Sequence, residues 1–292
     1  MKERTAILLC LLASFIWGTS FVAQSSAAND IGPLCYNGIR MLIGFVVLLP
    51  IVIKVLKRHK GDKKYYRALL KGTVTCGSAL FLATNLQQFG IMTTTAGKAA
   101  FITSFYTLIV PILSVLLKKK IEPRVWGCVA IGLVGAFLLS VNGDTGISKG
   151  DLLIFACAFM FAVQIMCIDH FGKELEGIEL SAFQFLFCGI IGTILGVATE
   201  PLTISMIQNV TINLLYSGVL SCGVAYTLQT VCQKYTRPEK ATLALSLENA
   251  WGAIAGAVVL HEVLTTKELI GCLLLFAAVM IAQLPAKQHK KN

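Results

Sequence analysis

The sequence predicts an all-α integral membrane protein of ten transmembrane helices, arranged as two inverted five-helix repeats. Three observations predict it. Apolar stretches of about 20 residues, the length that crosses a hydrocarbon core, recur between short polar connectors. A pattern of Lys-Ala, apolar span, polar turn and Gly-Cys starts at Lys98 and again at Lys240, and closes at Cys128 and Cys272, at offsets of 142 and 144 residues. Positive residues gather in alternate connectors, as the bilayer's charge asymmetry requires.

Composition sets the solvent. Of 292 residues, 56% are hydrophobic and 14% charged, with a mean hydropathy of +0.76. A soluble domain carries roughly a quarter charged residues, so the excess apolar surface faces lipid. The net charge of +10 suggests nucleic acid until the charges are located. They sit in short connectors, so the bilayer, not nucleic acid, is the expected partner. Seven of the ten cysteines, including Cys10, Cys76, Cys157 and Cys222, lie inside apolar runs. No CxxC pair exists and no His stands at ligand spacing, so these read as small buried residues, and neither a metal nor a cofactor is expected. His261-Glu262 lacks the second His of a zinc protease motif, and no Gly-x-Ser-x-Gly or phosphate-cradling loop is present. The chain is therefore not read as an enzyme or an ATP-driven pump.

The first span, 5–27, follows Lys2 and Arg4, and Ser26-Ala27-Ala28 resembles a cleavage site. It is kept as a span because residues 8–21 align with 152–165 at the offset of 144, placing Trp17 opposite Phe161 and Gly18 opposite Ala162. The second span, 32–54, contains Arg40 and leads into the longest connector, near 54–67. Spans at 68–90, 95–117 and 124–141 complete a first unit, 1–146. Spans at 151–170, 180–199, 211–232, 239–260 and 267–285 make the second, 147–292. With both termini cytoplasmic in the cell membrane, 21 of the 25 Lys and Arg fall inside. Adding or removing one span would flip every later connector and spoil that separation. Five crossings per repeat turn the second copy over, the architecture of secondary transporters, whose solute site lies between the copies near the midplane.

Ionisable groups inside spans come next, because each costs on the order of 3 kcal/mol on insertion scales. Glu248 lies near the centre of the ninth span, with Gly252 and Gly256 on its face. Small residues at that spacing admit a neighbouring helix, so Glu248 faces protein or a cavity. Two roles stay open: a protonatable or cation-binding group in a transport path, or a carboxyl bonded to a neighbouring helix. Arg40 lies a third of the way in from the outer side. It is expected to snorkel to the headgroups or to pair with a helix end; the alternatives are an anion contact or a gate ion pair. Asp169 and His170 are expected at the inner interface. A central site is expected from Trp17, Asn85, Tyr106, Gln164, Tyr226, Glu248 and Asn249. Phe21, Gln24, Gln87, Gln88, Phe101, Phe105, Gln229 and Trp251 are further candidates. Aromatic faces with a few amides suit a modest organic solute or a cation.

Four pieces carry a family resemblance: SFIWGTSFV in the first span, NGIRMLIGFVVLLP in the second, LQQFGIMTTTAGKAAFITSFYTLIVPIL in the third and fourth, and LSLENAWGAIAGAVVLHEVLT in the ninth. On these the chain resembles the EamA-type transporters of the drug/metabolite transporter superfamily. The resemblance implies a central cavity opening alternately to each side. It implies a small organic solute, often exported, such as an amino acid, an amine or a drug-like molecule. A proton or a counter-substrate is the implied coupling partner. It matches Glu248 and Glu262 to two recurring carboxylates and Arg40 to a recurring Arg. It also implies a shared coupling or structural role for Glu248 rather than the reading of solute identity. Two departures stand out. Asn249 replaces the usual Pro, which puts the local helix break in doubt, and Lys118-Lys119-Lys120 stands where many relatives carry a Glu. A passive channel or facilitator, and a membrane scaffold or sensor without flux, stay open as alternatives.

Overall fold

Helix occupies each of the ten expected spans, as seen in a computed structural model that describes residues 1–94, 96–140, 148–259 and 265–284. Glu262 and His261, with the C-terminal Lys287, Lys290 and Lys291, lie outside these. No strand occurs among the described residues. In lipid the backbone must satisfy its own hydrogen bonds, and helices do so within one segment.

Helices α1 (Glu3–Ala27), α2 (Pro33–Arg58), α7 (Lys149–Phe171) and α8 (Gly177–Thr199) run unbroken. So do α3 (Lys63–Ile91), α6 (Pro123–Ser140) and α14 (Thr266–Gln283). Two spans break in the middle: α4 (Ala96–Thr103) into α5 (Tyr106–Leu116), and α12 (Pro238–Leu245) into α13 (Glu248–Val259). The eighth span begins, after a short α9 (Ile204–Asn209), with α10 (Thr211–Leu215). It widens into a π-helical stretch, Tyr216–Tyr226, and ends as α11 (Thr227–Gln233). Among the described residues, six segments are long and apolar enough to cross a membrane: α1, α2, residues 99–116, α7, α8 and residues 211–233.

The side-chain distribution fits a lipid solvent. On α1 the large residues Leu8, Leu12 and Phe15 are exposed, while Ala6, Cys10, Ala13 and Gly18 are buried. Without a hydrophobic drive between helices in hydrocarbon, small residues let backbones approach. At the α1–α13 crossing, a Cβ on Gly18 would stand 2.5 Å from the Glu248 carbonyl oxygen, and one on Gly252 3.4 Å from the Gly18 carbonyl oxygen. The expected close-packing face of Gly252 is therefore occupied by α1. α2 lies along α8 and α6 along α14, while α3 packs on α7 and α1 on the π-helical stretch and α11.

Glu200, at the end of α8, accepts the backbone N–H groups of Leu34 and Cys35 at 3.0 and 2.9 Å. It thus caps the first turn of α2, where free donors and the helix dipole favour a carboxylate.

The two breaks fall at Ser104–Phe105 and Ser246–Leu247, 142 residues apart. At each the ladder tightens to three-residue bonds: Phe105 N–H to Ile102 O at 3.1 Å, and Leu247 N–H to Ala244 O at 3.4 Å. Ser104 and Ser246 each turn their hydroxyl back onto a carbonyl of the preceding turn. The doubt raised by Asn249 in place of Pro is therefore corrected. The helix breaks immediately before Glu248 without a proline, and Asn249 Nδ2 donates to Ser246 O at 3.0 Å. The same amide also donates to Ser104 Oγ, tying one break to the other.

Candidate functional site

The two breaks flank a partly open central cavity of about 480 Å³, a volume that includes its opening to solvent. α1 supplies Trp17, Phe21 and Gln24; α2, α3, α4 and α5 supply Arg40, Gln87, Thr103 and Tyr106. α7 supplies Phe161 and Ile165, and the eighth span Ser221, Tyr226 and Gln229. Leu245 and Glu248 stand on either side of the second break. Four pairs among these residues are related by the sequence offsets: Trp17 with Phe161 and Phe21 with Ile165 at 144, Thr103 with Leu245 and Tyr106 with Glu248 at 142.

Glu248 is 5% exposed and stands in the first turn of α13. Tyr106 Oη donates to Glu248 Oε1 at 3.4 Å, so one member of an offset pair touches the other. No basic side chain pairs with Glu248 among the described residues. Trp17 and Tyr226 lean together at 4.7 Å between ring centroids and form an aromatic wall.

Arg40 corrects the sequence reading. It does not snorkel: it is 1% exposed, and it lines the cavity. Its Nε donates to Asn37 Oδ1 at 2.7 Å, and its guanidinium lies 5.6 Å from the Tyr36 ring centre. Asn37, one turn earlier on α2, holds the side chain inward. Buried polar atoms around the cavity lack a protein partner, both donors (Trp17 Nε1, Arg40 Nη2) and acceptors (Gln24 Oε1, Gln229 Oε1). Such atoms are costly unless water or a solute meets them.

The structure brings together Trp17, Tyr106, Tyr226, Glu248 and Arg40, but not the other expected site residues. Asn85 sits behind Arg40: it accepts from Asn37 Nδ2 at 3.0 Å and donates to Phe81 O at 2.8 Å. Gln164 points at α8 and donates to Gln184 at 3.1 Å. Asn249 follows Glu248 by one residue, about 100° around a helix, and faces Ser104 instead. Phe101 and Phe105 pack edge-on against each other and against Phe137 and Phe155. Sequence reasoning missed Asn37, Thr103 and Ser221. Ser221 and Tyr226 are five residues apart, which on an α-helix separates them by about 140°. The π-helical ladder bonds i to i+5 and stacks them on one face. Asn37 had a readable signal, an amide three residues before a buried Arg.

A second, wider cavity of about 1380 Å³ lies beyond Ile168, one turn past Ile165 on α7. Charged side chains rim it. Lys119 pairs with Asp169, and Lys240 with Glu3 at 3.0 Å. Asp169, expected at an interface, thus closes a contact from the Lys118–Lys120 turn to α7. Between the cavities Gln233 Nε2 donates to Ile165 O at 3.3 Å.

The model of the EamA-like transporter family matches residues 4–141 and again 148–283. A protein of Archaeoglobus fulgidus described as an uncharacterized transporter is 30% identical over 97% of this chain and 87% of its own length. A Chlamydia muridarum protein described as an S-adenosylmethionine/S-adenosylhomocysteine transporter is 25% identical over 69% of this chain and 65% of its own. One solved crystal structure superposes with a TM-score of 0.80 over 97% of both chains at 17% identity, a likeness of fold alone.

Proposed function

The chain belongs to the EamA-like transporter family, and we propose that it is a secondary-active carrier that moves a small organic solute by alternating access. In this reading residues 1–146 and 147–292 are inverted five-span units, both termini are cytoplasmic in the cell membrane, and the solute is exported. The observation that carries it is the central cavity, lined by residues at matching positions of both units and holding a carboxylate, Glu248, with no basic partner among the described residues. In a two-fold arrangement a residue meets its own counterpart only near the axis, so the Tyr106–Glu248 contact supports an axis through the cavity. Rocking of two units about such a site is how inverted-repeat carriers alternate. The Gln233–Ile165 bond and the ion pairs around the wider cavity are then the inner closure.

Glu248 is the coupling group, taking up a proton or the cationic end of the solute. Trp17 and Tyr226 form the face on which an apolar or cationic part rests. Amino acids, amines and S-adenosylmethionine are the first solutes to screen by thermal shift, since a bound solute stabilises its carrier by mass action. In reconstituted vesicles flux should depend steeply on an opposing proton or solute gradient, and Glu248→Gln should abolish its pH dependence with expression intact. Undiminished pH-dependent flux in that variant would remove Glu248 from coupling. Flux indifferent to any opposing gradient would point to a facilitator.

A further inference from the structure

We propose that Arg40 is an anion-binding group for the transported solute, so that the solute carries a carboxylate. This rests on the carrier reading and names the chemistry of its cargo. A guanidinium stays charged at any working pH, and a charge buried in a membrane protein marks a partner. Arg40 is 1% exposed, yet no carboxylate of the described residues pairs with it. Glu248, the other ionisable side chain on the cavity, bonds to Tyr106 instead.

The orientation of Arg40 is built. Asn85 Nδ2 donates to Phe81 O, a pure acceptor, so its Oδ1 must face Asn37. Asn37 Nδ2 then gives its two protons to Asn85 Oδ1 and Thr84 O, each at 3.0 Å. Its Oδ1 is left for Arg40 Nε. Each amide fixes the next, and the relay ends at one edge of the guanidinium. Nη2, on the remaining part of the fork, has no partner and lies in a residue that lines the cavity. A fork held this way matches the two oxygens of a carboxylate. Among the described residues Arg40 is the only Lys or Arg lining this cavity, so it matches a monoanion. A phosphate dianion would leave one charge uncompensated. With Glu248 also on the wall, a solute with a carboxylate at one end and a donor or cation at the other satisfies both. Asn37 and Asn85 act as positioning residues.

The test is binding, measured without any gradient. The purified full chain in lipid nanodiscs is titrated with benzoate, benzamide and benzylamine, read by thermal stability and by the emission of Trp17, with Trp17→Phe as the optical control. Benzoate should stabilise the wild type and benzamide should not. Arg40→Gln should abolish that preference and Arg40→Lys keep part of it. Asn85→Ala, which removes the neutral bond that orients Asn37, should cut the benzoate preference by about tenfold at most, the upper end of one neutral hydrogen bond's worth. If Arg40→Gln does not fold, wild-type protein treated with phenylglyoxal and mapped by mass spectrometry gives the answer, because benzoate should protect Arg40 from modification. Equal responses to benzoate and benzamide, a preference that survives Arg40→Gln, or no protection would each overturn the proposal. Undiminished transport by Arg40→Gln of the solute that the wild type carries would overturn it and leave the carrier reading intact. Arg40-dependent benzoate binding in a chain that shows no flux would do the reverse.

Discussion

The broken helices α4–α5 and α12–α13 make the most instructive comparison in the molecule. Both interrupt at a serine, both tighten to three-residue hydrogen bonds, and both present the residues just before and after the break to the same cavity. The first presents Thr103 and Tyr106, the second Leu245 and Glu248. Their supports differ as well. Thr107 keeps its hydroxyl on its own turn, bonded to Ser104 O at 2.8 Å. Asn249, at the matching position, reaches across to the other break. The difference teaches that break geometry comes from backbone and serine, which the two segments share, while charge and the cross-link come from one segment only.

The largest effect should separate Glu248 from Tyr106. Glu248→Gln should eliminate pH-dependent flux, whereas Tyr106→Phe, which removes only a 3.4 Å bond, should lower flux by a factor of about three, the low end of a neutral hydrogen bond's worth. Comparable losses in proteoliposome assays would mean the two segments share the chemistry equally. Next comes packing. Gly18→Ala should destabilise by about 1–3 kcal/mol, the usual cost of overpacking, because the new Cβ meets backbone of α13. Its counterpart Ala162→Gly removes one buried methyl from a helix and should cost about 1 kcal/mol. Reversal of that order in denaturation experiments would show that the α1–α13 crossing has slack. The smallest expected difference lies between Asn249→Ala and Thr107→Ala. The first removes two donated bonds, to Ser104 Oγ and Ser246 O, and should cost about 2 kcal/mol; the second removes one, to Ser104 O, and should cost about 1 kcal/mol. Equal melting temperatures would break the claim that the cross-link belongs to Asn249.

Legibility in the sequence followed the range of the physics. A carboxylate at the centre of a 20-residue apolar span must be sheltered, so Glu248 was readable from depth alone. The closely packed face at Gly252 was readable because a Gly spacing has few other uses in a span. Arg40 was misread because depth permits either snorkelling or an inward pose, and a single bond from Asn37 chooses between them. Gln164 and Asn85 were placed at the site because polar residues in spans attract notice. Each proves to be bonded to another amide, a pairing set by which helices touch. Ser221 was hidden because its face depends on the local winding of the backbone.

By itself the sequence determined the apolar helical segments and the offset between its two halves, since segment length and hydropathy act locally and need no partner. Only the tertiary structure decided that both helices break at the same register, that Asn249 bridges the breaks, and that Arg40 turns inward behind an amide relay. Those outcomes depend on contacts between residues far apart in the chain, such as the 145 positions separating Ser104 from Asn249. A buried polar atom takes whichever partner the packing brings within reach, and no local pattern records which one that is.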